Sequence, residues 1–307
     1  MSMSSASYFT SLCKEIRENI LDSLDLTELS LFASAAPILH IGVDEYIQRR
    51  RLIVFARYMK NIQHFIRLLK TTGAVVSGSS ALNMVQAKRG AVEINDLDVY
   101  ITLPFFQELV SFFKETEGYK MVRKFRRPHP GPYNNTDIAK LFRLHKNEQR
   151  VDIIVTSLPS AVAPIFQSHS TVIMNFISAE AVFCAYPGWT LNMAGLIHPR
   201  MYKQNATNLD TVNGLAKYMR RGFNLYSEIE ELAPHGSQCV QTYHCPHMTR
   251  STNDEGKAAW VFGQTEEHAG TSYSIAYVGN HAVVWCLGGD QCANENASGS
   301  PSFVFAT

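Results

Sequence analysis

The chain has 307 residues, 46% of them hydrophobic and 18% charged, which excludes a disordered chain and supplies enough apolar surface for one or two compact domains. A formal net charge of +1 leaves no global field for nucleic acid or an acidic membrane, so binding of either kind must come from a local patch. The N-terminus, MSMSSASYFTSLCKEI, lacks the basic and then apolar regions of a signal peptide, so a cytoplasmic or nuclear, not secreted, protein is expected, and the sequons at Asn134, Asn205 and Asn296 then carry little meaning.

Residues 8 to about 70 read as helical. Leu12, Ile16, Ile20 and Leu24, then Leu26, Leu29 and Phe32, recur at helical spacing. Pro37 interrupts the pattern, and a long helix is predicted from Val43 to about Lys70, stopped by Thr71-Thr72-Gly73. Ala74-Val75-Val76 is a short buried strand, and Ser77-Gly78-Ser79-Ser80 is a turn that leads into a helix from Ala81. Asn95 to Thr102 alternates as a strand, and Pro104 to Glu117 is an amphipathic helix whose Phe105, Phe106, Phe112 and Phe113 belong to the core. Strands are predicted at Tyr119 to Phe125, Lys140 to His145 and Arg150 to Thr156, the last two joined by a turn at Asn147-Glu148. The Pro-rich stretch 126–136 is a loop. Helices are expected again between Ala161 and Leu196. The most apolar run, Val172 to Ile197, is broken by Asn175, Glu180, Pro187 and Asn192, which reads as a buried helix pair and not a membrane span. After Pro234 the composition shifts to Gly, Ser, Thr, Asn, His and Cys. A hairpin is expected from Tyr273 to Val278 and His281 to Cys286 around Gly279-Asn280.

The chemistry concentrates in VVSGSSALNMVQAKRGAVEINDLDVYIT, residues 75–102. A buried strand ends in a Gly-Ser turn at a helix N-terminus, where free N–H groups and the helix dipole favour a phosphate and Gly78 lets it approach closely. In Asp96-Leu97-Asp98-Val99, positions i and i+2 of a strand share a face, so both carboxylates point one way. Adjacent carboxylates repel unless a cation lies between them, and such oxygen ligands suit Mg²⁺ or Mn²⁺. Asp152, on the strand Arg150 to Thr156, would complete a two-metal site if placed beside the pair.

Gly78-Ser79, Asp96-x-Asp98 and the strand-borne Asp152 together resemble the nucleotidyltransferase superfamily that includes DNA polymerase beta. Gly78-Ser79-Ser80-Ala81-Leu82 followed by Asp96-Leu97-Asp98 is most similar to its abortive-infection and antitoxin-linked branch. The resemblance covers about residues 61–200. It implies that Gly78, Ser79 and Ser80 hold a nucleoside triphosphate, that Asp96 and Asp98 bind both metals, and that Asp152 binds the catalytic metal and helps deprotonate an acceptor hydroxyl. Near the N-terminus, Leu12-Cys13-Lys14-Glu15-Ile16, Ile20-Leu21 and Leu24-Asp25-Leu26-Thr27-Glu28-Leu29 resemble an F-box, with Cys13 where that motif carries Pro. This implies docking on a Skp-type adaptor through residues 12–50. A helical cap on the next domain explains the same residues equally well.

Other groups weigh less. Arg123, Lys124, Arg126 and Arg127 could grip triphosphate or a nucleic-acid acceptor, but also read as a solvated strand end, the reading that the near-zero net charge favours. Lys140 and Arg143 lie near the Asp152 strand. Cys239, Cys245 and His247 are ligand types for a structural Zn²⁺, but their spacing is wider than a zinc finger's, which favours buried thiols.

The expectation is an α+β protein: a helical F-box-like segment at 1–60, a nucleotidyltransferase-fold mixed sheet with flanking helices at 61–233, and a small β-rich extension at 234–307. Its expected activity is metal-dependent transfer of a nucleoside monophosphate to a hydroxyl on protein, RNA or a small molecule. The alternative is a ubiquitin-ligase adaptor with a catalytically silent nucleotidyltransferase-like domain.

Overall fold

The computed structural model describes residues 5–126, 137–203, 209–232, 243–263, 282–289 and 302–306. It is a mixed α+β protein. The helical start comprises α1 (Ser5–Ser11), α2 (Lys14–Leu21), α3 (Leu26–Ser34), α4 (Pro37–Ala56) and α5 (Ile62–Thr72). Asp25 opens α3 with a reciprocal cap: it accepts from the N–H of Thr27 and Glu28, while Glu28 accepts from the N–H of Asp25. Pro37 does not break a helix but begins one, because its missing N–H costs nothing in the first turn. The single long helix expected from Val43 to Lys70 is two helices. Tyr58 and Met59 turn inward between them, and the Glu117 carboxylate accepts the N–H groups of Lys60 and Asn61 where α5 starts. That cap comes from more than fifty residues away, so local periodicity does not reveal it.

The central elements follow as β1 (Val75–Ser77), α6 (Gly78–Val85), β2 (Leu97–Thr102), α7 (Phe106–Ser111), β3 (Lys120–Arg126), β4 (Ile138–Lys146) and β5 (Gln149–Thr156). The helical pair expected between Ala161 and Leu196 is instead a hairpin, β6 (Asn175–Ile177) and β7 (Ala181–Cys184), with short helical turns around it and α8 (Pro187–Thr190) after it. Both strands are buried on both faces, so they lack the alternation that separates a strand from a buried helix. Ser178 pins the turn by accepting the N–H groups of Glu180 and Ala181. Then come β8 (Ala194–Leu196), α9 (Arg200–Lys203), α10 (Leu209–Arg220), β9 (Asn224–Tyr226) and α11 (Ile229–Leu232). Strands β10 (Arg250–Ser251), β11 (Ala258–Val261), β12 (Val283–Cys286) and β13 (Phe303–Ala306) end the chain. Most of the hairpin expected at 273–286 lies outside the described residues.

Eight strands form one sheet in the order β11-β7-β6-β1-β2-β5-β4-β3. Among the described residues of this sheet only β2 and β5 pair in parallel, and the other pairings are antiparallel. One face packs Leu97, Val99, Val151, Ile153 and Phe142 against the N-terminal helices. The other packs Val75, Tyr100 and Ile154 against the segment 161–196 and β12. At one end of this second face the apolar contacts stop and a polar cleft begins. No helix among the described residues is long and apolar enough to cross a membrane.

Candidate active site

The register of β1, β2, β5 and β4 sets the site. Ser77 stands opposite Asp98, Asp98 opposite Asp152, and Asp152 opposite Arg143. Cross-strand partners point to the same side of a sheet, so four strands deliver one polar row. Its next residues alternate into the core, where Leu97, Val99, Val151 and Ile153 are fully buried. A slip of one residue would exchange the two sets, so core burial holds the carboxylates in place.

Gly78, the first residue of α6, has φ +65°, and a Cβ there would collide with Asp98 Oδ2. Glycine is therefore required both by the backbone and by the carboxylate against it. Ser77 and Gly78 line the cleft; Ser79 and Ser80 lie behind it. The Ser79 hydroxyl lies 3.4 Å from Asp96 Oδ1, and that of Ser80 donates to the Asp96 carbonyl at 3.3 Å. Both serines thus brace the Asp96 turn.

The three carboxylates are held unequally. Asp152 is gripped by a two-point fork from Arg143, Nε to Oδ1 at 2.9 Å and Nη2 to Oδ2 at 2.7 Å. Asp96 pairs with Arg150, and Lys217 Nζ stands 3.9 Å from its Oδ1. Asp98 makes no hydrogen bond or ion pair among the described residues. Burial, then the charges of Asp96 and Asp152, raise its pKa well above the usual carboxylate range, against weaker pulls from Lys217 and Arg150. Among the described residues no three His, Cys, Asp or Glu side chains converge as a ready metal cage, since the arginines turn two of the carboxylates toward themselves. Asp98, beside two more hard oxygen donors and without a counter-charge of its own, is nonetheless the chemistry a divalent cation fits.

The cleft encloses about 430 Å³. Its far wall is the face of α10 carrying Asp210, Asn213, Gly214, Lys217 and Tyr218, with His169 and Arg200 beside it. A Cβ on Gly214 would lie 3.0 Å from His169 Nε2, so this glycine lets α10 close on the cleft. Burial and the nearby Lys217 charge lower the His169 pKa to about 4; burial and Arg200 lower that of fully buried His198 to about 3. Both imidazoles are neutral at physiological pH.

The sequence brought Asp96, Asp98, Asp152, Gly78 and Arg143 to attention but not Arg150's role, Lys217, Asn213 or His169. The one signal was the spacing of Asp210, Asn213, Gly214, Lys217 and Tyr218 on a single helical face. Of the zinc candidates, Cys245 and His247 are buried and Cys239 lies outside the described residues. Comparison with family models, curated proteins and solved structures finds no match for the chain.

Proposed function

We propose that the chain is a metal-dependent nucleotidyltransferase of the superfamily its central motif resembles, transferring a nucleoside monophosphate from a nucleoside triphosphate to a hydroxyl acceptor. The observation that carries this reading is the register Ser77–Asp98–Asp152, with Gly78 pressed on Asp98 at the start of α6. It joins a helix start, of the kind that favours phosphate, to two carboxylates of one row, with Asp96 lining the same cleft.

In the reaction, the acceptor oxygen bonds to the α-phosphorus, the bond from that phosphorus to the bridging oxygen breaks, and pyrophosphate leaves. Two Mg²⁺ or Mn²⁺ ions on Asp96, Asp98 and Asp152 would neutralise the charge gathering on the entering and leaving oxygens. The free N–H groups at the start of α6 receive phosphate oxygens. Arg143, Arg150 and Lys217 line the same cleft and exchange their carboxylate partners for the triphosphate, which releases Asp152 and Asp96. Asp152, freed from its fork, takes the acceptor proton. Catalysis then rests on positioning and charge stabilisation.

The test is incubation with Mg²⁺ or Mn²⁺ and each of the four α-labelled nucleoside triphosphates, with added cellular RNA and protein. Label should move to an acceptor and vanish with Asp96→Asn plus Asp98→Asn. No transfer, together with no metal-dependent nucleotide binding, would overturn the proposal.

A second reading, an adaptor with a silent central domain, is favoured by the same Arg143 fork if it never opens, and by exposed Leu31, Ile38 and Ile41 around the turn between α3 and α4. Leu26, by contrast, is in the core, so its replacement tests folding and not docking. Under this reading Leu31→Asp abolishes capture of a Skp-type adaptor, and the double Asp variant leaves capture intact.

A further inference from the structure

We infer that the nucleotide substrate is a ribonucleoside triphosphate and that α10 selects it, Asp210 and Asn213 binding the 2′- and 3′-hydroxyls of its sugar; the inference rests on the nucleotidyltransferase reading of the cleft. The helix lies beyond residue 200, where the resemblance ends, and its cleft face is this chain's own.

That face carries Asp210, Asn213, Gly214, Lys217 and Tyr218. Lys217 marks its end at the carboxylates, with Nζ 3.9 Å from Asp96 Oδ1. A helix rises about 1.5 Å per residue, so Asn213 stands about 6 Å and Asp210 about 10 Å farther along the axis. With the phosphates at the carboxylates and their metals, the sugar of an extended nucleotide falls in that part of the cleft. Charge along the face points the same way. It is positive at Lys217, neutral at Asn213 and Gly214, and negative at Asp210. A triphosphate laid in reverse would meet the Asp210 carboxylate, whereas a sugar finds there an acceptor for its hydroxyl protons.

Three observations separate this face from an ordinary solvated helix. First, Asp210 and Asn213 line the cleft, and neither makes a hydrogen bond or ion pair among the described residues. Second, glycine weakens a helix interior, yet Gly214 occupies one, where a Cβ would lie 3.0 Å from His169 Nε2. The helix gives up stability to bring this face close. Third, His169 lines the same wall, and its buried Nδ1 has no hydrogen-bond partner among the described residues. An orphaned buried nitrogen is costly, and a sugar hydroxyl entering beside Gly214 supplies the missing partner. A carboxylate, a carboxamide and a neutral imidazole are thus grouped at one end of a cleft whose other end holds three carboxylates. A carboxylate is also the group that takes the ribose 2′-hydroxyl in dinucleotide sites. A sugar without that hydroxyl leaves Asp210 without its donor, which is how a site built for a hydroxyl rejects the analogue lacking it.

The test is isothermal titration calorimetry of the full chain with Mg²⁺ and α,β-methylene nucleoside triphosphates, which cannot release pyrophosphate, so no turnover is needed. All four bases are titrated in ribo, 2′-deoxy and 2′,3′-dideoxy forms. Wild-type protein should bind the ribo form of its preferred base about tenfold or more tighter than the 2′-deoxy form, one hydrogen bond's worth of affinity, and the dideoxy form more weakly still. Asp210→Ala plus Asn213→Ala, both at exposed positions, should weaken the ribo form by about tenfold or more and leave the dideoxy affinity within about twofold, so that the three forms converge. Equal affinity of wild-type protein for the three forms would overturn the inference and leave the nucleotidyltransferase reading standing. So would a ribo preference that survives in the variant, or a variant that loses all three forms alike, which would make the two side chains structural. Binding of no nucleotide in any form would overturn both.

Discussion

The arginine–carboxylate pairs at Arg250 and at the cleft are built in opposite ways. Arg250 is buried to 1% exposure and is balanced one to one. It forks Asp254, donates to the carbonyls of Tyr243 and Ala185, and packs against the rings of Tyr186 and Trp285. Asp254 in turn accepts from the N–H groups of Ser251 and Gly256. At the cleft the carboxylates are the buried partners, the Arg143 and Arg150 side chains are 25% and 38% exposed, and Asp98 is left over. The first arrangement gives four of the five guanidinium N–H groups an acceptor and ties 243–254 to the sheet. The second is unbalanced on its buried side, and its arginines reach in from solvent. A structural ion pair is closed; under the proposed reaction this one would change partners.

The contrast can be broken most severely at Arg250. Arg250→Leu strands a nearly buried carboxylate and two carbonyls, and should cost about 3–5 kcal/mol in chemical denaturation. A loss below 1 kcal/mol would remove the distinction. Next in size is acid lability at the cleft's far wall. His169 and His198 have folded pKa values below the unfolded one, so their contribution is complete above about pH 6.5 and falls as pH drops toward about 4 and 3. Each steepens the loss by about 1.4 kcal/mol per pH unit in that window. Urea midpoints at pH 7.5, 6 and 5 should therefore fall, and less so in His198→Asn; an unchanged pH slope in that variant would contradict the assignment. Gly78→Ala should cost about 1–3 kcal/mol through its left-handed backbone, and it should abolish nucleotide binding because Asp98 must move. A variant that binds nucleotide normally would detach Gly78 from the site. The smallest effect has the opposite sign. Asp98 is raised above its unfolded pKa, so it lowers stability at neutral pH, and Asp98→Asn should raise the thermal midpoint by a few degrees, about 0.5–2 kcal/mol. A lower midpoint would mean that Asp98 is structurally compensated.

What could be read from the sequence follows from how local its cause is. The strands carrying Asp98 and Asp152 are short-range patterns and lie where their patterns indicate, but the strand expected from Asn95 begins at Leu97, which leaves Asp96 in the turn before it, and the helix expected from Ala81 begins at Gly78. That these strands are neighbours is a fact of topology, which the motif order suggested and spacing alone could not. The hairpin of β6 and β7 was illegible because strands buried on both faces show no alternation. The break before α5 depends on Glu117, far along the chain. Lys217 and Asn213 sit on a helix after the motif region, and only tertiary packing turns that face to the carboxylates. Arg123 was visible as a charge, but its side of the sheet depends on a bulge that no residue type announces.

The central claim is that Asp98 is a carboxylate kept without a partner in order to take a cation when nucleotide arrives. Manganese binding followed by electron paramagnetic resonance, with and without a non-hydrolysable nucleoside triphosphate analogue, tests it most directly. Wild-type protein should bind Mn²⁺ more tightly when the analogue is present, as Arg143 and Arg150 pass to the phosphates, and Asp98→Asn should weaken that binding at least tenfold. Equal Mn²⁺ affinity in the two proteins, or none in either with the analogue bound, would contradict it.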